Sequence, residues 1–191
     1  MSKFLKKIAI IILILIFIIL IGIFKIFNFK DYILKNIYPT TYSEYVYKYS
    51  EENGIDPLLT FAIIKAESNF NKDAVSNSNA IGLMQIVEST AKEIAEKDLE
   101  LSFSTDLLNS PEYNIKIGTA YYAKLLKKYN GNMGLSLAAY NAGIGKVDGW
   151  IKDGTIKEDG SDLENIPYKE TNNYVRKILR DYNIYKQIYS K

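Results

Sequence analysis

The chain of 191 residues contains no histidine and no cysteine. The absence of histidine excludes imidazole general bases and Ser-His-Asp triads, and the absence of both residues excludes Cys-His nucleophiles and zinc sites built on them. Without cysteine there is no disulfide framework, so a domain outside the cytoplasm would depend on its hydrophobic core alone. The chemistry that remains is that of carboxylate, tyrosine and lysine side chains.

An uncharged apolar run of 17 residues extends from Ile8 to Phe24, with lysines on both sides. This length is the lower limit for a membrane-spanning helix. A cleavable signal peptide is the alternative, but its apolar segment is usually about 7–15 residues long and ends in an Ala-x-Ala-like site, which this run lacks. We therefore expect an uncleaved membrane anchor at residues 1–27, spanning at 8–24, and a short stalk at 28–41.

The distribution of charge separates this anchor from the rest of the chain. Residues 1–30 contain five lysines and no acidic residue, so the remainder has 19 basic and 22 acidic residues and a net charge of −3. The lysines before the apolar run predict a cytoplasmic amino end and an extracytoplasmic domain on a single-pass cell-membrane protein. No stripe of basic residues follows, so we expect no nucleic-acid partner.

From Tyr42 onwards the sequence predicts one all-α domain at 42–191, a size typical of a single compact domain. Capping residues, proline at first helical positions and apolar periodicity place the helices. Segments 98–110 and 158–167 are predicted to be irregular, and the four glycines between 143 and 154 are interpreted as turns. No strand longer than a few residues is expected. The predicted helices are 42–52, 57–68, 89–97, 111–129, 133–142 and 169–189.

Glu67 is the candidate catalytic residue of this domain. Asp56 is a good N-cap and Pro57 suits the first helical position, so a helix begins there and its apolar stripe runs up to Glu67. A polar, turn-prone segment follows, which would place the carboxyl group at the edge of a cleft. Desolvation there would raise its pKa and keep it able to donate a proton near neutral pH. Most glutamates at helix ends are simply solvated, so position alone makes Glu67 only a candidate.

Four short motifs follow one another along the chain: Ala-Glu-Ser-Asn-Phe at 66–70, Ala-Ile-Gly-Leu-Met-Gln at 80–85, Ala-Ala-Tyr-Asn-Ala-Gly at 138–143, and Ile-Pro-Tyr-Lys-Glu-Thr at 166–171 with Tyr-Val at 174–175. The set resembles the SLT domain of soluble-type lytic transglycosylases, lysozyme-like enzymes that cut peptidoglycan glycan strands. The resemblance covers residues 42–189. Each motif alone is a weak signal, but four in the family's order are specific.

The resemblance implies a goose-type/SLT lysozyme-like helical domain with a saccharide groove and a single catalytic glutamate, which here is Glu67. It implies no metal and no cofactor. One departure is visible, because Asn172 stands where many family members have arginine before the last tyrosine. That tyrosine, Tyr174, is expected to help set the protonation of Glu67. The implied substrate-binding residues are Ser68, Met84, Gln85, Tyr140, Asn141 and Tyr174.

The implied reaction is a lyase cleavage of the β-1,4 bond between N-acetylmuramic acid and N-acetylglucosamine, with formation of 1,6-anhydro-muramic acid. Two alternatives stay open. One is a goose-type lysozyme-like hydrolase, with a water positioned through Asp73 or Glu88, and the other is an inactive peptidoglycan-binding module. The sequence leaves undefined exo or endo cutting, stem-peptide preference, oligomeric state and any partner in an envelope machine.

The apolar run generates a prediction about location. If residues 8–24 span the membrane, the full-length protein should stay in the membrane fraction after a salt wash, and protease added to intact, wall-stripped cells should degrade its domain. Fractionation and immunoblotting measure both. Recovery of a mature form lacking residues 1–24 would instead establish a cleaved signal peptide.

Overall fold

The computed structural model describes residues 12–13, 15–19, 21–22, 29 and 31–190. The chain divides into two compact units, Met1–Pro39 and Thr40–Lys191. In the first, residues 31–37 are helical. The predicted span at 8–24 includes residues outside the described ones (8–11, 14, 20 and 23–24). Among the residues that are described, no helix has both the length and the apolar character needed to cross a membrane.

The second unit is built almost entirely of helices, as the sequence predicts. A two-residue antiparallel hairpin interrupts them, pairing Ala80 with Val87 and Ile81 with Ile86. Within residues 40–190 the elements are α1 Ser43–Glu52, α2 Pro57–Glu67, β1 Ala80–Ile81, β2 Ile86–Val87, α3 Glu88–Glu93, α4 Pro111–Lys128, α5 Met133–Ala142, α6 Ile144–Lys152 and α7 Lys169–Tyr189, with short 3₁₀ turns at Thr105–Asn109 and Leu163–Asn165.

Helix α2 starts where the sequence predicts and forms part of the core. The Asp56 side chain accepts a hydrogen bond from the backbone N–H of Leu58 at 2.9 Å, and Pro57 occupies the first turn. Every residue from Leu58 to Ile64 is buried, so the helix is enclosed on all sides rather than along one stripe. Its main partner is α7. The helix ends at Glu67, which therefore emerges directly from the core.

Helix α5 is the second buried helix. The Asn132 side chain caps it by accepting from the backbone N–H of Leu135 at 2.9 Å. Its residues from Gly134 to Ala139 are buried, and it packs against α4, α6 and α7. The predicted central core helix at 133–142 is confirmed.

The hairpin is held by one buried amide on α4. Asn114 accepts from the backbone N–H of Met84 at 2.8 Å and donates to the carbonyls of Ile81 and Leu108, both at 2.9 Å. Gly82 has a φ of 79° and lies so close to the Asn114 side chain that a Cβ would overlap it. Glycine is needed here both for its backbone conformation and for this close approach.

Two segments differ from the sequence prediction. The glycines interpreted as turns lie in or beside α6, and Gly145 and Gly149 are inside this helix. Burial of Val147 and Trp150, three residues apart on one face, stabilises the helix despite its glycines. The predicted helix at 89–97 begins at Glu88 and becomes a π-helical turn over Ile94–Asp98.

Ala138 provides a test of this packing, since the structure leaves it no exposed surface. Ala138→Asp would bury a charge without a partner, so we expect destabilisation of several kcal/mol. Chemical denaturation of the truncated protein that starts near Tyr42 measures it. The control Asn173→Asp adds the same side chain at an exposed position of α7 and should be nearly neutral. Equal effects of the two changes would contradict the assigned core.

Candidate active site

Glu67 is the last residue of α2, and its largely buried side chain borders an open groove. Burial raises the pKa of Glu67 from its ordinary value of 4.5 to about 7. The hydrogen bond from Tyr174 and the positive charge of Lys177 act in the opposite direction, but more weakly. The balance leaves a carboxyl group that exchanges its proton near neutral pH, as general acid–base catalysis requires.

Tyr174 is the direct partner of Glu67. Its hydroxyl donates to Glu67 Oε1 at 2.5 Å across 107 positions of sequence, because α7 packs along α2. Burial raises the pKa of Tyr174 well above its ordinary value, and the charge of Glu67 raises it further. The phenol therefore stays protonated and can only be a donor to the ionised carboxylate.

Tyr140 and Ser68 fix the backbone that faces Glu67. The Tyr140 hydroxyl donates to the carbonyl of Met84 at 2.7 Å, and the Ser68 hydroxyl donates to the carbonyl of Leu83 at 2.8 Å. Two polar side chains thus tie the end of α2 and the end of α5 to the same hairpin turn. Burial raises the pKa of Tyr140 well above its ordinary value, so this donor too stays protonated.

Met84 does not line the groove, contrary to the expectation from its motif. Its side chain is fully buried and packs so closely on Gly118 of α4 that a Cβ there would overlap the thioether. Its backbone carries the polar contacts instead, since the N–H bonds Asn114 and the carbonyl bonds Tyr140. Met84 therefore holds the turn in place from within the core.

Gln85 and Asn141 do line the groove. Gln85, with a φ of 48°, donates from Nε2 to the carbonyls of Ala74 and Gly82 at 3.0 and 2.9 Å. These two bonds use both of its N–H groups, which leaves the Oε1 acceptor for a ligand. Asn141 Oδ1 accepts from the Thr171 hydroxyl at 2.7 Å, which leaves its amide N–H groups for a ligand.

The groove has a volume of about 410 Å³ and a hydroxyl-rich and amide-rich lining, which also includes the exposed carboxyl group of Glu170. Glu67, Gln85, Tyr140 and Asn141 line it among the predicted site residues, whereas Ser68, Met84 and Tyr174 lie behind it. Among the described residues that line the groove there is no lysine and no arginine. The lining residues are Glu67, Ser76, Ser78, Ala80, Gln85, Ile86, Val87, Thr90, Tyr121, Tyr140, Asn141, Ala142, Gly143 and Glu170.

Ten of the lining residues have no counterpart among the predicted site residues, and Tyr121 and Glu170 are two of them. The sequence places Tyr121 on the apolar face of its helix, and helical periodicity does not distinguish a core tyrosine from one at a groove. Glu170 belongs to one of the four motifs but has no predicted role. The carboxylates considered for positioning water, Asp73 and Glu88, are exposed and are not part of the groove lining, and Asp73 pairs with Lys72 at 2.7 Å.

Asn172, which stands where many family members have arginine, has a structural role here. Its amide donates to the carbonyls of Leu163 and Glu164, both at 3.0 Å. These bonds fasten the surface segment before α7 to the first turn of that helix.

The fold and site place the chain in a known class. A family model described as "Transglycosylase SLT domain" matches residues 44–162. The chain belongs to this family. It is 33% identical over 148 residues to the soluble lytic murein transglycosylase of Escherichia coli, in a match that covers 76% of this chain and 23% of the relative.

Two further comparisons extend this result. Membrane-bound lytic murein transglycosylase C of Edwardsiella ictaluri is 40% identical over 115 residues, which is 56% of this chain and 32% of the relative. The structure of an inactive glutamate-to-glutamine mutant of lytic transglycosylase Slt from Pseudomonas aeruginosa matches with a TM-score of 0.72 at 36% identity, covering 78% of this chain and 24% of that one. The predicted SLT fold is confirmed, and this chain spans about a quarter to a third of these relatives.

The raised pKa of Glu67 predicts a pH-dependent effect on stability. The pKa of Glu67 is about 7 in the folded state, against an ordinary value of 4.5. The contribution of Glu67 to the free energy of unfolding is therefore fully present below pH 4.5 and is lost as the pH rises through 7. Glu67→Gln removes this ionisation, so it should be about 2–3 kcal/mol more stable than the wild type at pH 8. Denaturation at pH 4 is the internal control, where this gain should vanish. An equal gain at both pH values would contradict a desolvated Glu67.

Proposed function

We propose that this chain is a membrane-anchored peptidoglycan lytic transglycosylase in which Glu67 acts first as general acid and then as general base. The observation that carries the proposal is the largely buried carboxyl group of Glu67, which has a pKa of about 7, accepts a hydrogen bond from Tyr174 and borders the groove. The relatives named as lytic transglycosylases, and the inactive glutamate-to-glutamine mutant of one of them, support it.

The first step is protonation of the leaving oxygen. A carboxyl group with a pKa of about 7 is substantially protonated at neutral pH, so Glu67 can transfer its proton to the glycosidic oxygen as the bond from C1 of the muramic acid breaks. The carboxylate that forms accepts the hydrogen bond from Tyr174, which is present at 2.5 Å and needs no rearrangement.

The second step accounts for the use of one carboxyl group. Glycosidases usually need two, and substrate-assisted enzymes are the exception. Here the N-acetyl oxygen of the muramic acid stabilises the positive charge at C1. Glu67 then takes the proton from the C6 hydroxyl of the same sugar, and O6 attacks C1. The 1,6-anhydro ring closes without consumption of water, and Glu67 regains its proton.

The groove lining fits uncharged parts of a glycan strand. Gln85 offers an acceptor and Asn141 offers donors, which complement sugar hydroxyls and N-acetyl groups. Ser68 and Met84 from behind the groove, and Tyr140 from its lining, fix the turn that carries Gln85, so that the substrate meets a preformed wall.

We also propose that the enzyme works outside the membrane. The apolar run at 8–24 would anchor it, residues 28–41 would form a stalk, and residues 42–191 would reach the wall from the extracytoplasmic side. The lysines before the run and a relative named as membrane-bound support this topology.

The proposal predicts both the effect of a substitution and the nature of the product. Glu67→Gln keeps the shape of the side chain but cannot supply the proton, so turnover of purified peptidoglycan should fall by about 10²–10⁴-fold while strands still bind. Wild-type products should be lighter than hydrolytic ones by the mass of one water. Mass spectrometry of the released muropeptides measures both.

Two outcomes would contradict parts of the proposal. Products with free reducing ends would assign a goose-type hydrolase instead, and full activity of Glu67→Gln would overturn the catalytic assignment. Glu164→Gln, an exposed glutamate away from the groove, serves as the matched control and should retain activity.

A further inference from the structure

Helix α2 ends abruptly after Glu67. Asn69 and Phe70 both have a left-handed backbone, with φ values of 49° and 66°, so the chain turns out of the helix there. In a longer helix the N–H of Phe70 would bond the carbonyl of Ala66. Among the described residues no backbone N–H bonds this carbonyl. An acceptor at the negative end of the helix dipole is therefore left for another group.

Lys177 of α7 supplies that group. Its Nζ donates to the carbonyl of Ala66 at 3.5 Å, across 111 positions of sequence. Lys177 follows Tyr174 by three residues, so the two side chains lie one turn apart on the same face of α7. Tyr174 bonds the carboxyl group of Glu67. This face of α7 thus contacts the end of α2 twice, at the catalytic side chain and at the carbonyl just before it.

The ammonium group of Lys177 acts on the charge of Glu67. Burial has the largest effect and raises the pKa of Glu67, whereas the bond from Tyr174 and the charge of Lys177 lower it. A neutral side chain at position 177 would leave the carboxylate with the bond from Tyr174 alone. Burial would then hold the proton more strongly, and Glu67 would ionise at a higher pH.

The other titratable groups around Glu67 differ from Lys177 in charge or direction. Lys65 precedes Glu67 by two residues, and side chains at that spacing do not face each other on a helix. Tyr140 of α5 is neutral, and Glu170 of α7 lines the groove as an exposed carboxyl group. The hairpin contains no titratable side chain, and no charge on α1 acts on Glu67. Within the described part of the chain, the cation that acts on Glu67 is Lys177.

We propose that Lys177 is a positioning residue for the reaction, which holds the end of α2 and stabilises the ionised form of Glu67. This inference rests on the proposed function, because it concerns the group that changes its protonation state during the reaction. After the first step Glu67 has given up its proton and carries a negative charge in a desolvated position. The charge of Lys177 stabilises this state until Glu67 takes the proton from the C6 hydroxyl.

The first test follows the ionisation of Glu67 and does not depend on activity. Carbon NMR of the full-length protein, labelled at its glutamate carboxyl groups, measures the titration, and Glu67→Gln identifies the signal by its loss. In Lys177→Met the midpoint should rise by about one pH unit, the low end of the effect of a nearby opposite charge, because Lys177 is exposed. Lys177→Arg keeps the charge and should keep the midpoint.

Arg176→Met is the matched control. It removes one positive charge from the adjacent exposed position of α7, which has no effect on Glu67 in the described structure. The midpoint should therefore stay at its wild-type value. An equal rise in this variant would overturn the specific role of Lys177 in favour of the general field of α7.

The second test measures turnover of purified peptidoglycan against pH. The first step needs protonated Glu67, so kcat/KM should fall as the pH rises through the ionisation of Glu67. This alkaline limb should move upwards by the same interval in Lys177→Met, and stay in place in Lys177→Arg and Arg176→Met. A purely structural role of Lys177 would lower stability at every pH and move neither the NMR midpoint nor the limb.

Further outcomes separate this inference from the proposed function. An unchanged midpoint in Lys177→Met, or a midpoint that Lys177→Arg fails to restore, would overturn the inference and leave the proposed function standing. A shifted midpoint with an unshifted alkaline limb would overturn the role of Lys177 in the reaction. A wild-type protein that shows the NMR titration but does not cut peptidoglycan would overturn the proposed function, and this role with it.

Discussion

The site depends on the packing of α2 along α7, because this contact both desolvates Glu67 and supplies its partner. A glutamate at the end of an exposed helix would titrate near its ordinary value. Here the buried helix α2 ends at Glu67, and α7 places the Tyr174 hydroxyl 2.5 Å from Glu67 Oε1. The acidity of Glu67 is therefore a property of two packed helices and not of its own sequence neighbours.

Local sequence signals predict the parts of the site that local chemistry controls. Asp56 and Pro57 define the start of α2, and counting along that helix leads to Glu67. The partnership with Tyr174 joins residues far apart in sequence, so only the family resemblance points to it. The expectation that Met84 lines the groove is wrong, because a motif does not say whether a residue acts through its side chain or its backbone. Helix α6 is not predicted, because the two glycines within it are interpreted as turns.

Tyrosine takes the place of histidine in the polar network of this protein. Each phenol supplies one hydrogen-bond donor, and it stays neutral when it is buried. They can therefore bond Glu67 and the turn at Met84 without adding a charge to the core. Glu67 is the member of this network whose pKa is near neutral.

The bonding of Asn114 has a consequence for how the groove comes into existence. A hairpin of two-residue strands has no independent stability, so this wall of the groove depends on the two bonds that Asn114 makes to it, together with those from Ser68 and Tyr140. The wall should therefore form only after α4 has docked, as a late event in folding. In the native state it should open only when its packing on α4 is also lost, because Leu83 and Met84 have no exposed surface.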